Sequence, residues 1–250
     1  MAGRLAGKCC IITGAGSGMG KGIALAYAKE GARVVICARR VEMLEGTAAA
    51  AVAAGSVGTI SVMQCDQSDA ASVASVVTAA HAEMGKIDVL VNNAGMNIPK
   101  RNLAELSVED FHRVVDVNLS GAFHFIHSVL PLMRAQKEGT VINISSIAGN
   151  MATVLAGTAY SASKFGMIAL GNMINLEESA NGIRATNICP GEAATEILDK
   201  RENPPSKEQR MKMVQPEDIG EIAVTVAALP QRVFIPMLTV TGITTIDIAM

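Results

Sequence analysis

The chain has 250 residues, half of them hydrophobic and 18% charged, with a formal net charge of −2. So much apolar material excludes a disordered segment, and so little net charge gives no global positive field for nucleic acid or anionic lipid. No apolar run is long enough to cross a bilayer, residues 1–8 lack the apolar stretch of a signal peptide, and five cysteines without a C-x-x-C pair fit a reduced, cytoplasmic setting.

In chain order, a strand-like run at Cys9–Ile12 leads into Thr13-Gly14-Ala15-Gly16-Ser17-Gly18-Met19-Gly20 and a helical stretch, Met19–Lys29, followed by Gly31. Strand, glycines, helix is the order that brings backbone N–H groups and a helix N-terminus close to a pyrophosphate. Gly14, Ser17, Gly18 and Met19 are therefore candidate cofactor contacts. A second strand, Arg33–Cys37, ends at Ala38, where an acidic residue would bind the ribose 2′-hydroxyl of NAD. Arg39 and Arg40 follow instead. Either they fork onto a 2′-phosphate, which favours NADP, or they form a solvated loop.

A helix at Val41–Ala54 precedes a third strand, Thr59–Met63, and then Asp66 and Gln67. Asp66 either accepts from an adenine amino group or makes a turn ahead of Ser68 and Asp69. Next come a helix at Ala70–Met84, a strand at Ile87–Val91, and Asn92-Asn93-Ala94-Gly95. Lys100 and Arg101 are a surface pair or an attraction for an acidic substrate. Ser107, with Glu109 and Asp110 in the first turn, opens a long helix, Val108–Met133, that carries Asn118. His124 and His127 are three apart on it, but no third ligand stands nearby, so no metal is expected.

The strand Thr140–Ile144 runs into Ser145 and Ser146, and the helix Ala159–Ser179 carries Tyr160 and Lys164. The strand Arg184–Ile188 is followed by Pro190, Gly191 and Thr195. Residues 193–215, polar and containing Pro204–Pro205, break the rhythm and read as a substrate lid. Pro216 opens a last helix to Ala228, and Phe234–Val240 is the last strand. Met96, Met151 and Met211 are expected beside the substrate. Apolar strands separated by helix-length crossovers imply a doubly wound parallel sheet of about seven strands, a Rossmann-type three-layer α/β/α sandwich spanning residues 1–250 as one domain.

Tyr160 and Lys164 are four residues apart and share a helix face. An ammonium about 4 Å from a phenol is worth on the order of 4 kcal/mol at an effective dielectric near 20, about three pKa units, and is expected to bring the phenol toward neutral pH. This makes Tyr160 a candidate general acid/base.

Six motifs together resemble the short-chain dehydrogenase/reductase family. They are Thr13 to Gly20, Asn92 to Gly95, Asn118, Ser146, Tyr160-x-x-x-Lys164, and Pro190 to Thr195. The resemblance implies hydride transfer between NADP(H) and a small carbonyl or alcohol, with Asn118, Ser146, Tyr160 and Lys164 catalytic. It also places Asn93, Ala94 and Gly95 along the cofactor, and Pro190, Gly191 and Thr195 near its nicotinamide. Family members are often tetramers, which implies a homo-oligomer. Rival readings are an NAD-preferring alcohol dehydrogenase and a non-catalytic dinucleotide sensor. Thr239-Val240-Thr241-Gly242 departs from the D-G-G ending of the family's ketoacyl reductases, which leaves the substrate class open.

Overall fold

The computed structural model describes residues 2–200 and 204–243. The Val-, Ile- and Cys-rich runs pair as β1 (Cys9–Thr13), β2 (Arg33–Ala38), β3 (Thr59–Gln64), β4 (Val89–Asn92), β5 (Gly139–Ile144), β6 (Ile183–Pro190) and β7 (Met237–Val240). All neighbours are parallel, in the order β3-β2-β1-β4-β5-β6-β7. The strand order reverses between β1 and β4, and at such a switch point the loops leaving the carboxyl ends diverge and open a crevice. The last strand is shorter than the sequence pattern suggests, because residues 234–236 precede it outside the ladder.

The helices are α1 (Gly18–Lys29), α2 (Val41–Ala53), α3 (Ala70–Met84), α4 (Val108–Val115), α5 (Gly121–Gln136), α6 (Thr158–Glu178), α7 (Lys207–Met211) and α8 (Pro216–Ala228). Alternate residues of each strand point to opposite faces. Cys10 and Ile12 of β1 therefore join Ile23 and Tyr27 of α1 and Ile219 and Ala223 of α8 in one core. Cys9 and Ile11 join Val73 and Val77 of α3 and Phe125 and Val129 of α5 in the other. All five cysteines are buried and unpaired. None of the helices is long and apolar enough to cross a membrane among the described residues.

The predicted helix over Val108–Met133 is interrupted. Between α4 and α5, Asp116–Ser120 forms a single π turn, in which the Gly121 N–H bonds the Asp116 carbonyl, five residues back. The Val117 carbonyl that an α-helix would have used is freed and accepts from Gln67 Nε2. The segment 193–215 also holds structure that the sequence pattern does not show. A short 3-10 turn covers Glu196–Lys200, and α7 is closed by a reciprocal Ser206–Gln209 capping box.

Two buried polar features tie the sheet to its surroundings. Asn92, Asn143 and Asn187 are in register on β4, β5 and β6. Asn92 Nδ2 donates to Asn143 Oδ1 at 3.1 Å, and Asn143 Nδ2 donates to Asn187 Oδ1 at 3.1 Å. Asn187 Nδ2 continues the row to the Ile168 carbonyl of α6 at 3.3 Å. Arg184, also buried, donates to the carbonyls of Leu229 (2.9 Å), Pro230 (2.7 Å) and Val233 just beyond α8. Its guanidinium thereby satisfies acceptors that the end of α8 and its connection to β7 leave over.

Candidate active site

A cleft of about 570 Å³ lies outside the carboxyl ends of β1, β2 and β4. Its floor is the glycine turn. Gly14 sits at φ +66° and Gly18 at φ +52°, backbone conformations that side chains resist. A Cβ on Gly14 would fall 2.6 Å from the Ala94 Cα, so the turn and the Asn93-Ala94-Gly95 loop meet backbone to backbone. Thr13 Oγ1 accepts from the N–H groups of Asn93 (3.0 Å) and Ala94 (2.9 Å), while Asn93 Nδ2 donates to the Thr13 and Gly14 carbonyls. The Asn93 amide is thus spent on shaping the turn. Ser17 is the N-cap of α1 but makes no side-chain cap bond, which leaves N–H groups at that helix N-terminus for a ligand.

Arg39 and Arg40 are exposed and line the same cleft, beside Ala38 and Met43. Asp66 lines it too, and its carboxylate makes the turn as well. Asp66 Oδ1 accepts from the Ser68 N–H at 3.0 Å and the Ser68 hydroxyl at 2.6 Å, which holds the carboxyl below its usual range. Gln67 reaches the cleft but uses Nε2 on the Ala94 carbonyl (3.2 Å) and on the π turn. His124 Nδ1 bonds the Gln67 carbonyl oxygen at 3.0 Å.

A second pocket of about 170 Å³ adjoins the cleft, and Met19 and Thr195 line both. Tyr160 and Ser146 face it, with Pro190 and Gly191 beside them. The two adjacent serines separate clearly. Ser145 Oγ turns to the Lys164 carbonyl at 3.0 Å, whereas the Ser146 side chain faces the pocket with Tyr160 and receives the Ala148 N–H at 3.1 Å.

Asn118 is fully buried within the π turn. Nδ2 donates to the Met96 carbonyl (3.0 Å) and to Ser163 Oγ (3.1 Å), and Oδ1 accepts from the Met96 N–H at 2.7 Å. A Cβ on Gly95 would fall 3.3 Å from Asn118 Oδ1 and 3.6 Å from Lys164 Nζ. A side chain at position 95 would crowd the space between them.

The electrostatics correct the expectation drawn from spacing. Lys164 Nζ donates to the Ile144 carbonyl at 2.8 Å and lies 5.7 Å from the centre of the Tyr160 ring. Burial lowers its pKa to about 8, partly offset by the nearby Cys189 thiol. Burial likewise raises the Tyr160 pKa, opposed by the neighbouring Ser146 side chain. Burial strips water from both groups and so disfavours the charged form of each, the phenolate and the ammonium alike.

Other expectations divide. Met96 lines the larger cleft, whereas Met151 and Met211 are exposed and line neither cavity. Lys100 is exposed, but Arg101 is half-buried and lines the second pocket. Asn97, Leu155, Leu198 and Glu192 also line that pocket. Asn97 and Leu155 sit in loops with no periodicity or motif, whereas Glu192 falls at a variable position of the Pro190–Thr195 run and Leu198 falls in the segment read as a lid.

Residues 8–205 match the family model described as short chain dehydrogenase. The chain belongs to the short-chain dehydrogenase/reductase family. Among relatives in this family, the oxidoreductase UcpA of Salmonella typhimurium is 32% identical over 241 residues, covering 90% of this chain and 89% of its own length. The 3-oxoacyl-[acyl-carrier-protein] reductase FabG of Thermotoga maritima is 33% identical over 230 residues, covering 90% and 92%. Among solved short-chain enzymes, a metagenomic oxidoreductase in complex with NADP superposes with a TM-score of 0.81 at 32% identity, over 95% of this chain and 97% of that one. Levodione reductase gives a TM-score of 0.85 at 28% identity, over 95% and 97%.

Proposed function

We propose that this protein is an NADP(H)-dependent oxidoreductase that interconverts a small carbonyl compound and its alcohol, with Tyr160 as general acid/base. The observation that carries the reading is that Tyr160 and Ser146 face one small pocket, which opens into the glycine-floored cleft. The cleft fits a dinucleotide. Its glycines keep side chains off the floor, the uncapped N-terminus of α1 suits phosphates, and Arg39 and Arg40 suit a 2′-phosphate. Gly14, Ser17, Gly18 and Met19 would hold the pyrophosphate, and Asp66 and Gln67 would border the adenine. Asn93, Ala94 and Gly95 would pack along the middle, with Pro190, Gly191 and Thr195 at the nicotinamide end. A bound nicotinamide dinucleotide supplies or accepts the hydride.

The chain's own groups handle the proton. The phenol of Tyr160, held protonated by its buried setting, donates to the carbonyl oxygen during reduction. The Ser146 hydroxyl hydrogen-bonds the same oxygen as charge develops there. Lys164, with a pKa near 8, changes protonation state close to neutral pH and is suited to replenish that proton, while Asn118 fixes the Met96 loop beside it. Residues 193–215, whose Thr195 and Leu198 reach the pockets, form the lid.

The exposed Phe123 of α5 and Phe165, Met173 and Leu176 of α6 favour a homo-oligomer packed through these helices. Five unpaired thiols suit a cytoplasmic setting.

The test is Tyr160→Phe with NADPH fluorescence titration and a panel of small ketones and aldehydes. Binding is expected to persist while turnover falls by at least about a thousandfold; unchanged turnover removes Tyr160 from the chemistry. Titrating NAD(H) and NADP(H) into wild type and Arg39→Asp tests the cofactor preference.

A further inference from the structure

We infer that Arg101 is a specificity-determining residue that holds the carboxylate of an acidic substrate, so that the carbonyl compounds turned over are small keto acids and the alcohols their hydroxy acids. The inference rests on the proposed active site and deepens it.

Arg101 lines the 170 Å³ pocket together with Tyr160 and Ser146. Its stem is seated by backbone geometry. Gly157 stands immediately before α6 at φ +81°, and a Cβ there would fall 2.5 Å from the Arg101 Cβ and 2.7 Å from its Cγ. The Arg101 carbonyl accepts from the Thr158 N–H at 3.1 Å, the first residue of α6. Tyr160 follows two residues later, so the loop that carries Arg101 is tied to the helical turn that carries the phenol.

The guanidinium has no work inside the protein. Among the described residues it makes no ion pair and no side-chain hydrogen bond, and none joins it to Glu192, the carboxylate that also lines the pocket. By contrast, the buried Arg184 is spent on carbonyls and the half-buried Arg210 pairs with Asp199. A half-buried guanidinium with five donors and no acceptor is matched by a carboxylate, which takes two of those donors in a fork. The N-terminus of α6, without a side-chain cap, adds positive potential on the same side. Ile98, Ile147, Leu155 and Leu198 supply an apolar wall for the carbon chain between the two polar ends. Tyr160 lies two residues, about 3 Å of helix rise, beyond the Thr158 N–H that anchors Arg101, a spacing that suits a chain of a few carbons.

The experiment compares acetoacetate and levulinate with their methyl esters, which keep the ketone and remove the charge. Steady-state turnover with NADPH is expected to favour each acid over its ester. Arg101→Gln is expected to raise KM for the acids about ten- to a hundredfold, with kcat and all ester parameters within about twofold of wild type. Arg101→Lys should recover part of the loss. Equal loss on acids and esters, or no loss on acids, overturns the assignment. Calorimetric binding of the same acids to Tyr160→Phe with NADPH bound, with and without Arg101→Gln, does not depend on turnover. Acid binding that disappears with Arg101→Gln supports the inference even if no compound turns over, in which case the catalytic reading alone falls. Ester binding without acid binding, or no binding by any compound, overturns it.

Discussion

Lys164 is costly to keep. Its folded pKa near 8 lies below the ordinary 10.5, so between those values the folded protein binds fewer protons than the unfolded chain. Stability therefore rises with pH through that window, and the burden is greatest at neutral pH, at about 3 kcal/mol. Lys164→Met removes the titration while filling similar space. Chemical unfolding at about pH 7 and about pH 10 is expected to show wild type gaining roughly 2–3 kcal/mol on the variant across that interval, with turnover lost in the variant throughout. A pH-independent difference would mean that the ammonium is not desolvated in the folded protein. The motif picks out Tyr160, Ser146 and Lys164, which the fold places near one another, but not the sign of the pKa shift of Tyr160. Spacing reports which side chains share a face, whereas the sign depends on how much water is left around them.

At the scale of elements, the hydrophobic periodicity over Val108–Met133 continues straight through Asp116–Ser120 and hides the π turn. What makes that turn is Gln67, some fifty residues earlier in the chain, whose amide claims the Val117 carbonyl. Gln67→Leu leaves that carbonyl buried without its donor. A loss of about 1–3 kcal/mol in urea unfolding is expected. Turnover should fall further than cofactor affinity, because Asn118 sits in the middle of the turn. The glycine turn shows the opposite case. There the strand, the glycines and the helix start are contiguous, each dictated by local backbone chemistry, and the sequence alone places them to within a residue or two. The pocket walls from Asn97 and Leu155 belong to loops brought together only by the finished fold, which is why composition and spacing pass over them.

For the whole molecule, the proposed homo-oligomer turns on the outer faces of α5 and α6. Phe165, Met173 and Leu176 follow one another at helical spacing and stay exposed, with Leu176 at 76%. Sedimentation velocity is expected to find an oligomer in wild type and a smaller species in Phe165→Glu/Leu176→Glu. Wild type that sediments as a monomer would sink the oligomer.

The row of three asparagines across the middle of the sheet acts as a key to strand alignment. Slipping β5 by one position would carry Asn143 to the opposite face and leave Asn92 and Asn187 with mismatched neighbours inside an apolar layer. Such a row penalises partial replacement more than complete replacement. Asn143→Val alone maroons two amides and is expected to cost about 2–4 kcal/mol, while changing Asn92, Asn143 and Asn187 together to valine should recover part of that loss. The triple variant would then melt above Asn143→Val yet fold with looser pairing of β4, β5 and β6, visible as faster amide exchange along those strands.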